Sequence, residues 1–148
     1  MASRPFHVLL VEDNDAHARL ATLAMERSPV DVSVDRVADG AEALAYLQHQ
    51  PPHETHPPVN LVLLDLNAPR LSGIEVLRQA KTDPRLRAIP IVVLSASMSR
   101  IEAEEAYLNY ANSYLVKPVD YNNFQAMVND LLLYWATWNQ GAWGRPSA

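Results

Sequence analysis

Three stretches of the chain are apolar almost without interruption, and each runs into a polar side chain. Phe6–Val11 ends in Glu12-Asp13, Leu61–Leu64 ends in Asp65, and residues 89–94 end in Ser95. A shorter run, Ser113–Val116, ends in Lys117. Runs of this length fit strands buried on both faces, as in a parallel sheet covered by helices. Val32–Val37 alternates apolar and polar residues and reads as a more exposed strand near a sheet edge. Between these runs the apolar spacing becomes helical. Ala16, Leu20, Leu23 and Ala24 mark a first helix, and Ala43, Leu44 and Leu47 a second. Ile74, Leu77 and Ala80 mark a third, ended by Asp83-Pro84, and residues 100–109 a fourth behind the capping Ser99. Phe124, Met127, Val128, Leu131 and Leu132 mark a fifth behind Asp120.

Strand and helix thus alternate five times. That order predicts an α/β fold with right-handed crossovers and helices on both faces of the sheet. The expected architecture is a doubly wound, five-stranded parallel sheet in the flavodoxin-like order 2-1-3-4-5. One segment breaks the alternation. Residues 49–58 carry four prolines and three histidines, and read as a solvated loop without regular structure. The spacing of His49, His53 and His56 offers a metal site on paper. A proline-rich loop is not expected to hold three imidazoles in fixed geometry, so no metal is assigned there.

Composition narrows the function classes. The chain has 148 residues, enough for one domain with a full core. Residues 1–136 are read as that domain and 137–148 as a tail with no output domain. A net charge of −5 argues against a nucleic-acid binder. Cysteine is absent, which excludes thiol chemistry and disulfides. No apolar stretch approaches the ~20 residues of a membrane span. A cytoplasmic location is expected.

In the order 2-1-3-4-5, the ends of strands 1, 3, 4 and 5 bring Glu12, Asp13, Asp65, Ser95 and Lys117 to one edge of the sheet. Three convergent carboxylates repel one another unless a cation joins them. Few, hard oxygen ligands suit Mg²⁺. Lys117 supplies a positive point charge for a phosphoryl oxygen, and Ser95 a hydroxyl. Asp65, at the end of the central strand, has the chemistry of a carboxylate nucleophile that takes a phosphoryl group.

These pieces resemble the receiver domains of two-component response regulators. The matching motifs are Leu10-Val11-Glu12-Asp13-Asn14, Leu64-Asp65-Leu66-Asn67 with Pro69 and Gly73, Ser95-Ala96, and Tyr114-Leu115-Val116-Lys117-Pro118. The resemblance implies phosphorylation of Asp65 by a histidine kinase. It implies Mg²⁺ on Asp13, Asp65 and the main-chain carbonyl of Asn67, with Glu12 acting through a water. It implies that Ser95 and Lys117 hold the phosphoryl group and that Tyr114 turns inward on activation. Such a domain is not an enzyme beyond catalysing its own phosphorylation and dephosphorylation. The chain looks most like the stand-alone regulators that partner bacterial and cyanobacterial phytochromes, on the strength of Asn67, the insert at 49–58 and Tyr134-Trp135. Tyr110 departs from the family, which has Gly in the turn before strand 5.

The expected output is protein–protein contact with a downstream partner not named by the sequence. Two other roles remain open at this stage, a phosphate carrier or sink in a relay and a phosphorylation-independent scaffold. The apolar stripe of the last helix continues through Trp135 and Trp138 at helical spacing. A helix over residues 120–139 would outrun the strands. It predicts a homodimer through Leu131, Tyr134, Trp135 and Trp138, with a fold-back of Trp143 over the patch as the alternative.

Overall fold

The computed structural model describes residues 4–66 and 71–141. The elements run β1 (Phe6–Val11), α1 (Asp15–Glu26), β2 (Val32–Val37), α2 (Gly40–Leu47), β3 (Leu61–Leu64), α3 (Gly73–Thr82), β4 (Ile91–Ser95), α4 (Arg100–Leu108), β5 (Ser113–Val116) and α5 (Tyr121–Leu133). All five strands are parallel, in the order β2-β1-β3-β4-β5. The register pairs Val11 with Leu64, Leu64 with Val93 and Ser95 with Val116, so the carboxyl ends of four strands finish nearly level.

Alternation along each strand splits the core in two. Leu9, Val11, Val62, Leu64 and Val93 face α2, α3 and α4. Phe6, Val8, Leu10, Leu61 and Leu63 face α1 and α5. Each helix starts on a side-chain cap: Asn14, Asp39, Ser72, Ser99 and Asp120 each accept a hydrogen bond from the backbone N–H three residues on.

Packing on α1 departs from the expected stripe. Its buried face is Ala18, Ala21, Ala24 and Met25. Ala16 is exposed, and Leu20 is 45% exposed. Small residues let α1 lie close to α5, and that close approach selects the alanine face over the larger leucines.

The last helix also differs from the continuous rod predicted. After α5, residues Tyr134–Trp138 form a single π-helical turn. Asn139 N–H closes it on Tyr134 C=O, five residues back. The wider turn rotates the residues after it relative to the α-helical stripe. Trp135 packs half-buried against the α1–α5 core and Ala136 is buried, while Trp138 is 71% exposed. Leu131, at 8% exposure, belongs to the same core. Of the four residues expected at a dimer contact, Leu131 and Trp135 are therefore taken up by the chain's own core. Tyr134 and Trp138 remain open. The fold-back of Trp143 lies outside the described residues.

The proline-rich segment is irregular, as its composition requires, but it is not merely solvated. The His56 ring stacks on Tyr46 at 3.8 Å and on His49 at 4.0 Å between centroids. Both His56 ring nitrogens lie 2.8 Å from carbonyl oxygens, of Pro57 and Tyr46. Beneath this ring, Tyr46 O–H donates to Asp35 and meets His7 Nε2 at 2.6 Å. Burial holds His7 below the usual histidine range. The imidazoles are thus fixed in place, contrary to the sequence-based expectation, because Tyr46 offers them a flat apolar wall. His49 and His56 are stacked face to face and His53 lies tilted at 54° against Tyr46, so the rings are not turned toward a common centre.

Tyr110 explains its own departure from the family pattern. It closes α4 with φ of 70°, in the left-handed region that glycine adopts without strain. Ala111 N–H bonds to Ala106 C=O, and Tyr110 N–H to Tyr107 C=O, the pair that defines a Schellman C-cap. The backbone geometry is that of a glycine turn, carried by a tyrosine. His49 ends α2 in the same way, with φ of 54°.

Candidate functional site

The site is built by strand ends. Glu12 and Asp13 follow β1, Asp65 follows β3, Ser95 closes β4 and Lys117 follows β5. Backbone bonds hold the carriers: Asp65 N–H donates to Val11 C=O at 3.1 Å, and Lys117 N–H to Ser95 C=O at 2.8 Å. A loop carrying an acid is thereby fixed by the ladder of the strand beside it. Glu12 N–H is held in the same way by Val37 C=O.

Carboxylate oxygens of Glu12, Asp13 and Asp65 lie within 4.8 Å of one another. Glu12 is buried, Asp65 half-buried and Asp13 exposed. Lys117 Nζ bonds to Glu12 Oε1 at 2.9 Å, with both side chains largely out of water. That pair offsets part of the repulsion among the acids. Glu12 Oε2 also accepts from Asn14 N–H at 3.3 Å. Three carboxylates with an open, exposed side fit a hard divalent cation that keeps several waters. Asn67, the fourth expected ligand, lies outside the described residues.

On the other side of Asp65 stands Ser95, only 1% exposed. Its O–H donates to Glu102 Oε1 at 3.0 Å, and its oxygen accepts from Ser97 N–H at 3.0 Å. Tyr114 is half-buried, and its O–H donates to Ser97 C=O at 2.9 Å. The charge pattern of α4 predicts Glu102 on a solvated acidic face with Glu104 and Glu105. Glu102 instead turns inward from the first turn of α4. Its position seven residues after Ser95 carries no signal, because the fold alone brings α4 back over the end of β4.

A cleft of about 350 Å³ opens from the acids toward α1 and α5. Glu12, Asp65, Ala96 and Lys117 line its polar end, and Leu20, Pro118, Val119 and Phe124 its apolar end. Leu20, unexpectedly exposed on α1, has its place here.

The sequence profile of the response regulator receiver domain matches residues 8–129. The chain is a receiver domain of two-component signalling. The probable methanogenesis regulatory protein FilR2 of Methanothrix harundinacea is 44% identical over 140 residues, 94% of this chain and 89% of that one. Response regulator Rcp1 of Synechocystis is 37% identical over 131 residues, 88% and 89% of the two chains. The Mn²⁺-bound form of Rcp1 superposes with a TM-score of 0.85, covering 93% of this chain and 99% of that one. The phosphorylated cyanobacterial phytochrome response regulator RcpA superposes with a TM-score of 0.87 at 35% identity, covering 95% and 99%. The receiver domain is thus close in sequence and fold to regulators of phytochromes. A divalent metal in a relative of this similarity agrees with the chemistry of the acidic cluster here.

The metal expectation yields a direct test. Chelation should stop labelling of the protein by acetyl phosphate or phosphoramidate, and Asp13→Ala should imitate the chelator. Asp13 is exposed and contributes little to the core, so the variant should stay folded by circular dichroism. Undiminished labelling in excess chelator would contradict a metal role for these acids.

Proposed function

We propose that this receiver is a response regulator phosphorylated on Asp65 by a histidine kinase of the phytochrome type. The observation that carries the reading is the joining of three carboxylates, a lysine and a serine at one sheet edge around a half-buried Asp65. An Asp65 carboxylate oxygen attacks the phosphorus, and the kinase histidine leaves. Mg²⁺ held by Glu12, Asp13 and Asp65 would supply positive charge for the transferring group. Lys117 is poised to exchange Glu12 for a phosphoryl oxygen, and Ser95 offers a hydroxyl from the neighbouring strand. Ala96 leaves space beside it. The apolar end of the cleft, with exposed Leu20 and Val119 at its rim, suits the apolar face of a kinase helix brought up to Asp65. The chain catalyses no reaction beyond its own phosphorylation and dephosphorylation. It acts in the cytoplasm, where a kinase has ATP to draw on. No helix among the described residues is long and apolar enough to cross a membrane.

The kinase assignment rests on the likeness to Rcp1 and RcpA. It is tested by incubating the protein with labelled, autophosphorylated kinases from the same genome. Label should leave a phytochrome-type kinase and reach this chain fastest. Fast transfer from another kinase alone would overturn the assignment.

Homodimerisation through the last helix belongs to the same reading, on a smaller surface than the sequence predicted. Leu133, Tyr134 and Trp138 are 41%, 52% and 71% exposed along one end of the molecule, and Tyr134 stands edge-on to Trp135 at 5.1 Å. Exposed aromatics in a group mark interfaces. Light scattering at tens of micromolar is expected to give a dimer mass, and Trp138→Ala a monomer. A monomeric wild type, with and without phosphorylation, would refute the pairing.

A further inference from the structure

We infer that Glu102 is a positioning residue that holds the Ser95 hydroxyl away from the phosphoryl site and so sets the resting state of the switch. The inference rests on the reading of Asp65 as phosphoacceptor.

A serine hydroxyl has one proton to donate. Here that proton is committed: Ser95 O–H donates to Glu102 Oε1 at 3.0 Å. The acceptor side of the same oxygen is occupied by Ser97 N–H at 3.0 Å. Ser95 is 1% exposed, so no water competes for it from bulk solvent. A phosphoryl group on Asp65 can gain the Ser95 hydrogen bond only when the bond to Glu102 breaks. The carboxylate makes a charge-assisted bond, stronger than a neutral acceptor would. A phosphoryl group carries about −1.5 to −2 charge, so it and Glu102 draw on the same proton and repel each other as well.

Breaking the bond has consequences built into the geometry. Glu102 lies in the first turn of α4, so its release frees that end of the helix from β4. The main chain of Ser97 is held on both sides of its Cα. Its N–H is bound to Ser95 and its C=O accepts from the Tyr114 O–H at 2.9 Å. A turn of Ser95 toward Asp65 therefore withdraws the acceptor from Ser97 N–H, and the main chain of Ser97 carries the displacement to Tyr114. Glu102, Ser95, Ser97 and Tyr114 form one chain of hydrogen bonds running from α4 to β5. In the resting state every member is satisfied.

The probe is beryllofluoride, a phosphoryl mimic, titrated with Mg²⁺ into the full chain and followed by amide chemical shifts. Glu102→Ala should lower the half-saturating concentration roughly tenfold, the scale of one lost charge-assisted bond. Glu102→Gln keeps the size and an acceptor without the charge, and should fall between wild type and Glu102→Ala. In a Ser95→Ala background the effect of Glu102→Ala should shrink to about twofold or less, because the partner through which it acts is gone. Tyr114 shifts on adding the mimic should reach completion at lower concentration in both Glu102 variants. Variants that saturate like wild type overturn the inference. So does an undiminished Glu102→Ala effect in the Ser95→Ala background, which would show Glu102 acting through its charge alone. A wild type that takes up no beryllofluoride, or an Asp65→Asn variant that takes it up equally well, overturns instead the assignment of Asp65 on which the inference stands.

Discussion

Asp65→Asn is expected to lose all measurable labelling by small phosphodonors while remaining folded. Asparagine keeps the volume and the backbone bond from residue 65 N–H to Val11 C=O, so the end of β3 stays in place. It removes the carboxylate oxygen that forms the bond to phosphorus, and an amide oxygen is a poor nucleophile at neutral pH. The same substitution should raise stability without metal. Three carboxylates with oxygens within 4.8 Å repel one another, and removing one should gain about 1 kcal/mol. Mg²⁺ should stabilise wild type more than the variant, and so narrow the difference. Intact-mass spectrometry after acetyl phosphate treatment, paired with denaturant unfolding with and without Mg²⁺, reads both effects. A labelled Asp65→Asn variant would move the acceptor elsewhere. A destabilised one would show that Asp65 is a structural partner first.

The second large effect is expected at Gly73, where α3 begins under the acidic site. A Cβ built on Gly73 would lie 2.3 Å from Leu66 Cα and 2.9 Å from Asp65 O. Both are backbone atoms, which no side-chain rotation can clear. Gly73 N–H also donates to Leu66 C=O at 3.0 Å, drawing the start of α3 against the residue next to Asp65. Gly73→Ala must therefore push α3 off the end of β3. Overpacking of this kind costs about 3 kcal/mol where the neighbour cannot yield. The displaced segment carries Asp65, so phosphorylation should slow together with the loss of stability. Gly40 makes a useful comparison. A Cβ there would meet Leu71 O at 2.2 Å, which lies farther along the same connection. Gly40→Ala should cost stability on a similar scale and disturb Asp65 less. Urea unfolding and phosphodonor labelling on the two variants would separate the effects. A Gly73→Ala protein as stable and as readily labelled as wild type would show that the close approach is relieved at no cost.

The fold and the polar edge of the site were legible in the sequence for a physical reason. A strand buried on both faces is apolar almost throughout, so Leu61–Leu64 and, apart from His7, Phe6–Val11 announce themselves, and a charge directly after such a strand has to stand at the sheet's edge. The order of five alternating units then places Glu12, Asp13, Asp65, Ser95 and Lys117 together without any side-chain detail. What the sequence does not carry is the pairing of residues whose distance along the chain obeys no period. Glu102 looked solvated because its charge fits an exposed helix face equally well; only the seating of α4 over β4 turns it to Ser95. The histidines of residues 49–58 looked unfixed because a proline-rich loop has no internal order, and the wall that orders them, Tyr46, belongs to α2. Leu20 left the expected core because α1 packs on its alanines, a choice made by the distance to α5 and not by hydrophobicity. Trp135 and Trp138 shared a helical stripe on paper. One π-helical turn parts them, since adding a residue to a single turn of backbone rotates everything after it. Local pattern thus determined which elements form and which chemistry sits at their ends, and tertiary packing decided which partner each polar group keeps at rest.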